Sequence, residues 1–278
     1  MATGGENRAM PGNPEVYLHG HHDSVLRSHR WRTAENSAAY LLPRLSSRDR
    51  VLDVGCGPGT ITVGLAKLVP QGSVLGIDQA EDVLAEARAE ATRLGQANVS
   101  FEAGDVYRLR FDDGAFDAVH AHQVLQHLAN PVAAIREMRR VCRQGGTVAL
   151  RDVDFGGMFW APEDAEMEEW RQLYQQVARA VGGEPDAGRH LLGWAHEAGF
   201  EQVELSGGFW CFATAEERSW WCGLWADRLT QSRFADQALT RQLASLESLN
   251  RLADGLRRWA ASTDGCFFVP HGQALCTR

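Results

Sequence analysis

Lysine is nearly absent from this sequence. Lys67 is the only one among 28 basic residues and sits in a helical pattern behind a glycine turn, so Schiff-base and lysine-nucleophile chemistry has almost no candidate. Paired cysteines are missing as well. Cys56, Cys142, Cys211, Cys222, Cys266 and Cys276 are scattered without a C-x-x-C spacing, which reads as free thiols in a cytoplasmic protein. No apolar run is long enough to span a bilayer, and Met1 to Asn13 are small, polar and Gly/Pro-bearing, unlike a signal peptide; no membrane partner is expected. Positive charge is in deficit. A net charge of −8 argues against nucleic acid as a partner, since such binders carry a basic field. The chain has no G-x-x-x-x-G-K-[ST] phosphate loop, no G-x-S-x-G elbow and no H-E-x-x-H helix. The run Tyr17-Leu-His-Gly-His-His22 has no carboxylate or cysteine cluster beside it, and no metal is assigned to it.

What is present starts at Val51-Leu-Asp-Val-Gly-Cys-Gly-Pro-Gly59. An apolar run breaks at glycines and resumes with Ile61, Leu65 and Leu68 on one helical face. A strand, a tight glycine loop and a helix form a small-molecule cradle, because glycine lets the backbone turn sharply and touch a ligand. Dinucleotides, nucleotides and S-adenosylmethionine all use such a cradle. Ser73 to Asp78 is a second apolar strand ending on an acid, and an acid there accepts hydrogen bonds from ribose hydroxyls. Asp78 also suits the cap of the helix that follows, over Ala80 to Leu94. Val99 to Ala103 is a short strand closed by Gly104-Asp105-Val106, an acid and an apolar residue suited to an adenine ring. Phe116 to Ala121 is a fourth strand with His122, Gln123 and His127 at its mouth. A helix from Pro131 and a fifth strand, Thr147 to Leu150, lead to Arg151-Asp-Val-Asp154. Strand and helix patterns thus alternate from Arg50 to Asp154, implying a parallel sheet with helices on both faces and a ligand beyond its carboxyl ends.

Flanking segments differ in character. Asp23 to Leu42 reads as a basic amphipathic stretch whose helix Asp23 or Ser24 can cap. Past Asp154 lie eight of the nine tryptophans. Helices are expected over Glu163–Val181, Arg189–Ala198 and, as one long stretch, Ala215–Ala261. Strands are expected at Phe200–Leu205, Gly208–Ala213, Cys266–Val269 and Gln273–Thr277. Three segments follow: 1–43, a tail and helical lid; 44–155, the cofactor-binding core; and 156–278, the rest of the sheet with an aromatic helical cap.

On these residues the chain resembles the class I S-adenosylmethionine-dependent methyltransferases, strongly from Arg50 to Leu150 and in outline elsewhere. Val51–Gly59 looks like that family's first motif, Gly76-Ile-Asp78 like its ribose-binding strand end, Gly104-Asp105-Val106 like its adenine turn, and Phe116–Gln123 like its strand-four motif. The subfamily looks UbiE-like, and Val25 to Tyr40 is similar to the N-terminal helices of its natural-product tailoring branch. Two positions depart from the quinone-modifying members, Pro58 for threonine and His122 for a small residue. The resemblance implies an α/β, Rossmann-like, seven-stranded and mostly parallel sheet with an N-terminal helical lid and a helical insert before the last strand. It implies S-adenosylmethionine as cofactor, held by Gly55, Cys56, Gly57, Gly59, Asp78, Gln79, Asp105, Val106, His122 and Gln123.

The runner-up, an NAD(P)-dependent oxidoreductase, needs Gly or Ala at the sixth position of G-x-G-x-x-G, where Thr60 stands. The expected reaction is methyl transfer to a small aromatic or indole-like metabolite, at carbon, with oxygen or nitrogen as the nearest alternative. His22 is expected as base with Tyr17 orienting it; His21, His122, His127, Asp152 and Asp154 are further candidates. Phe155, Phe159, Trp160 and Trp210 are expected to contact the acceptor. Trp220, Trp221 and Trp225, at helical spacing, read as a core face. The assembly considered is a homodimer, and the sequence does not decide the oligomeric state.

Overall fold

The computed structural model describes Leu18 and residues 23–278. Eight strands form one sheet: β1 (Arg50–Val54), β2 (Ser73–Asp78), β3 (Val99–Ala103), β4 (Phe116–His122), β5 (Cys142–Val153), β6 (Phe159–Ala161), β7 (Gln202–Phe212) and β8 (Cys266–Thr277). The order is β3-β2-β1-β4-β5-β8, with β7 on the far side of β8 and β6 joining β8 beyond the end of β5. The pairs among β1 to β5 are parallel, whereas β8 is antiparallel to β5, β6 and β7, so β8 alone runs against the rest. The eighth strand, three-residue β6, is the one addition to the expected seven.

The helices are α1 (Asp23–Arg30), α2 (Ala34–Ser37), α3 (Thr60–Leu68), α4 (Glu81–Arg93), α5 (Pro131–Val141), α6 (Ala165–Ala180), α7 (Leu191–Glu197), α8 (Ala215–Gln231), α9 (Arg233–Thr240) and α10 (Leu246–Ala260). None among the described residues is long and apolar enough to cross a membrane. Both faces of the sheet are covered, which is why its central strands read as nearly unbroken apolar runs. Along β1, Val51 joins the cluster containing Ile61 and Leu65 of α3, while Leu52 and Val54 join the one containing Ile135 and Met138 of α5 and Leu191 of α7.

Two expected elements are redrawn by capping. The helix from Asp23 stops at Arg30, because Thr33 and Asn36 form a reciprocal capping box that restarts the chain as α2. The stretch from Ala215 breaks into α8, α9 and α10, with Ser232 and Ser245 as N-caps. Strands expected as two pieces at each end of the cap are continuous β7 and β8, even through Pro270. That proline sits where β5 has ended and β6 has yet to begin, so its missing N–H removes no ladder bond on that side.

A second core lies between α6, α8, α9, α10 and the end of the sheet, built on Trp170, Tyr174, Phe212, Trp221, Trp225, Phe234, Trp259 and Phe267. Buried Arg218 ties it shut. Its guanidinium donates to the carbonyls of Ala260 (3.2 Å), Gly265 (2.9 Å), Ala213 and Ser262, joining the start of α8, the end of α10 and the turn into β8. Removing it orphans several buried carbonyls at once, each a cost of about 1–3 kcal/mol. Arg218→Met is therefore expected to lower stability by about 3 kcal/mol or more, read as a drop in the urea midpoint; an unchanged midpoint would show the clasp to be idle.

Candidate active site

The site is assembled at the carboxyl rim of the parallel strands. The loop after β1 has Gly55, Gly57 and Gly59 at φ of 67°, 54° and 78°, a left-handed region that favours glycine. Each has its own reason. A Cβ on Gly55 would lie 2.4 Å from Val124 Cγ2, and one on Gly59 would lie 2.7 Å from Ala87 Cβ, whereas one on Gly57 would meet nothing nearer than His29 Nδ1 at 3.8 Å. Gly57 thus leaves a cradle that a side chain would fill. Beneath the loop, buried Asp53 sits 2.7 Å from His120 Nδ1 and accepts from Thr62 Oγ1 at 2.6 Å, joining β1, β4 and α3. Asp78 at the tip of β2 accepts from Gly57 N (3.0 Å) and Ala80 N (3.1 Å), so it fixes the loop and the turn before α4, whose N-cap is Ala80 and not Asp78. Cys56 is buried, and burial first, then Asp53 and Asp78, push its thiol well above the ordinary value.

This rim opens into a cavity of about 350 Å³, a size within the range of ligand pockets. One end is walled by Gly55, Cys56, Gly57, Asp78, Gln79 and Val106, and the other by Phe155, Tyr174, Trp210, Trp221, Trp225 and Arg228. His122, Gln123 and His127 line the middle, and Ser28, His29 and Arg32 close over it from the end of α1. The cradle at Gly57, the acid at Asp78 and the apolar Val106 fit an adenosine-bearing methyl donor.

Several expected residues stand elsewhere. Gly59 is off the wall and serves the packing of α3 against Ala87 and Phe101. Asp105 is exposed; its carboxylate accepts from Tyr107 N at 2.9 Å and borders a small neighbouring depression instead. Phe159 is 50% exposed on β6 and stacked on Phe268 at 4.5 Å, while Trp160 stacks on Phe267 at 5.6 Å, so neither reaches the cavity. Asp154 is clasped by Arg189 (2.7 and 2.5 Å). Tyr17, His21 and His22 lie outside the described residues. In the other direction, Trp221 and Trp225 belong to the core and also to the wall, and the role of Ser28, His29 and Arg32 was hidden by the continuous stretch expected there. The Thr33-x-x-Asn36 spacing was the signal that α1 ends beside the cavity.

Trp210 is the pivot of the middle. Its Nε1 donates to the Asn36 carbonyl at 2.9 Å, and Arg32 and Arg151 lie over the ring at 5.6 and 5.2 Å. A polar chain runs past it. Arg32 donates to Gln123 Oε1 (2.7 Å), Gln123 Nε2 meets His271 Nε2 (2.8 Å), and His271 Nδ1 donates to the Val269 carbonyl (3.0 Å). Since that carbonyl can only accept, His271 carries its proton on Nδ1 and accepts from Gln123. The chain holds Gln123 at a φ of 54°, a left-handed conformation that costs a side-chain-bearing residue about 1–2 kcal/mol.

His122, His127 and Asp152 are held neutral. Burial, then Arg151 and Arg32, keep His122 well below the ordinary imidazole range, and burial and Arg32 lower His127 to about 3. Burial raises Asp152 from 3.8 to about 8, against backbone donors from the turn that includes Leu125 N at 3.1 Å. Asp152 lies behind the cavity wall rather than on it.

Comparison with known proteins agrees with this geometry. Residues 45–203 match a family described as a methyltransferase domain. An uncharacterized methyltransferase of Schizosaccharomyces pombe is 38% identical over 96% of this chain and 98% of its own length. A demethylmenaquinone methyltransferase of Roseiflexus castenholzii is 36% identical over 58% of this chain and 64% of its own. The crystal structure of the YcgJ protein of Bacillus subtilis superposes with a TM-score of 0.58 at 17% identity, covering 88% of this chain and 99% of that one, a likeness of fold.

Two outcomes are expected from this site. Gly57→Ala places a methyl group in the cradle, so its affinity for S-adenosylhomocysteine in isothermal titration should fall by about tenfold or more, with a stability loss of only about 1–2 kcal/mol. Undiminished affinity would take the cradle out of the cofactor site. The second concerns pH. Native Asp152 keeps a proton that the unfolded chain gives up, so stability is lost as pH rises from 3.8 to about 8, then levels. The buried imidazoles act in the opposite sense: His127 refuses a proton the unfolded chain takes, costing stability as pH falls from 6.5 towards about 3. Asp152→Asn, which retains an acceptor for Leu125 N, should therefore gain in melting temperature over wild type as pH goes from 5 to 8, at roughly 1.4 kcal/mol per unit at most. A difference that stays constant across that interval would contradict a protonated Asp152.

Proposed function

The chain belongs to the class I S-adenosylmethionine-dependent methyltransferases, and from that premise we propose that it methylates a small, flat aromatic metabolite, indole-like in size, at a ring carbon, in secondary metabolism. The observation that carries this reading is the continuity of the cavity: one end is the glycine cradle, the other a wall of Phe155, Tyr174, Trp210, Trp221 and Trp225. Aromatic walls favour flat rings through offset and edge contacts, worth about 0.5–1.5 kcal/mol per pair beyond burial. The demethylmenaquinone methyltransferase relative, named for a quinone, supports a ring as acceptor.

S-adenosylmethionine, when bound, supplies a methyl group already activated by its sulfonium charge. Gly55, Gly57, Asp78, Gln79 and Val106 would hold it. The remaining task of this chain is alignment and exclusion of water. Alignment can contribute up to about 7–11 kcal/mol of the barrier. The tryptophan wall orients the acceptor ring, and the end of α1 covers the opening with Ser28, His29 and Arg32. Trp225, stacked edge-on to Trp170 at 4.9 Å and Phe155 at 5.8 Å, is held rigidly for that role.

The test is incubation of a panel of indoles, phenols and quinols with isotopically labelled methyl donor, followed by mass spectrometry of the added methyl and its point of attachment. Transfer to a ring carbon is expected; attachment to oxygen or nitrogen would move the reading to the heteroatom alternative. On the acceptor found, Trp225→Leu should raise KM by about tenfold while S-adenosylhomocysteine affinity stays within about threefold. Equal loss of both would mean that Trp225 serves the fold rather than the acceptor.

A further inference from the structure

His122 is the group that the fold leaves most conspicuously unanswered. It is 5% exposed and lines the middle of the cavity, yet among the described residues neither ring nitrogen has a hydrogen-bond partner. Buried polar groups are nearly always paired, so two open nitrogens on one buried ring call for a ligand. Its ring lies 5.7 Å from Trp210 and 6.0 Å from His271, and 6.5 Å from His120 in a nearly parallel stack. The buried indole of Trp221, a donor only, also lacks a partner for Nε1 among the described residues and lines the same cavity, 6.4 Å from Trp210.

Charge narrows the choice of ligand. Arg32 and Arg151 lie over Trp210, and Arg228 lies 4.7 Å over Trp225. Two of the aromatic faces that a cationic acceptor could use are thus already taken by the protein's own cations. Arg151 donates to the neutral Asn36 carbonyl at 2.9 Å, and burial lowers it only to about 10, so it stays charged. Positive charge at His122 disfavours its protonation and, by the same sign, favours an anion beside it.

We propose that His122, with the indole N–H of Trp221, is the recognition point for an acidic oxygen on the acceptor, so that the substrate class is phenols or enols bound as their oxyanions rather than neutral or ammonium-bearing rings. The acceptor arrives having already lost its proton to solvent, and the negative oxygen enriches the ring carbons in electrons. This rests on the reading that the aromatic half of the cavity holds the acceptor, and it moves His122 from the cofactor's side of the site to the acceptor's.

The probes are 4-nitrophenol and 2-naphthol, each beside its methyl ether, titrated into protein saturated with S-adenosylhomocysteine. Charge-assisted hydrogen bonds should make each phenol bind about tenfold or more tightly than its ether. Bound 4-nitrophenol should show phenolate absorption at a pH where the free dye is largely neutral. His122→Phe should abolish the preference for phenol over ether, with S-adenosylhomocysteine affinity within about threefold of wild type. Trp221→Phe, which keeps a ring in the core, should weaken the preference and decides the matter if the first variant does not fold. Phenol and ether binding equally well would overturn the oxygen contact and leave the aromatic-acceptor reading standing. Binding of neither would remove both. Loss of S-adenosylhomocysteine affinity in a folded His122→Phe would return the residue to the cofactor and overturn the proposal.

Discussion

The contact on which the site depends is the hydrogen bond from Trp210 Nε1 to the Asn36 carbonyl, with the guanidiniums of Arg32 and Arg151 over the same ring. It joins three distant parts of the chain. Asn36 and Arg32 come from the N-terminal segment, Arg151 from the last parallel strand, and Trp210 from β7. Arg151 donates to the same Asn36 carbonyl, so one acceptor satisfies two donors from different elements. Burying two arginines is costly unless their charge is spread over polarisable neighbours, and an indole face with a backbone oxygen at its edge meets that need. The second tie between these parts is Arg228 of α8, which donates to the Ser24 carbonyl (3.1 Å) and Ser28 Oγ (2.5 Å) of α1.

Electrostatics in the site follow from that arrangement. Burial first, and then the fixed positive charge of Arg151 and Arg32, hold His122 and His271 well below the ordinary imidazole range. His271 then settles on one tautomer, dictated by the Val269 carbonyl, while His122 has no internal bond to choose for it. The contrast matters because the two rings lie 6.0 Å apart in the same field. One is locked by the fold and serves structure. The other keeps both nitrogens available, at the desolvation cost of an unpaired buried polar group, a cost that persists in native proteins chiefly where something binds.

How much of this was legible in the sequence depends on how local the determining physics is. The glycine loop, Asp78 and the alternation of β1 to β5 could be read because backbone sterics and period-two burial act within a few residues. Phe159 and Trp160 could not be placed, because whether they face inward is set by a three-residue strand whose register belongs to β8, a hundred residues later. Trp221 and Trp225 read as a helical core face and are one, but the same side chains also wall a cavity, which helical spacing alone does not distinguish. Asp105 matched its motif in sequence, yet its carboxylate folds back to accept from Tyr107 N two residues on. Helix ends were misplaced where Thr33, Ser232 and Ser245 cap, although each cap is a local signal that was present to be read.

Topology explains why the cavity stands where it does. Since β8 alone is reversed, β7 ends and β8 begins at the rim where β1, β2 and β4 present Gly55, Asp78 and His122. Any segment inserted between Phe212 and Cys266 must therefore emerge over the cofactor end of the sheet, whatever its sequence. The segment leaving β5 emerges at the same rim, and α6 packs against α10 to complete the enclosure. The core can thus retain its cradle while the inserted helices vary, because the two are joined at a rim and not interleaved within the sheet. On the proposed function, specificity for the acceptor would rest on α6 and α8, where Tyr174, Trp221, Trp225 and Arg228 reside, set against His122 and Trp210 from the sheet. On that reading, a change in α6 or α8 that spares Arg218 would alter the acceptor taken and leave the glycine cradle between β1 and α3 as it is.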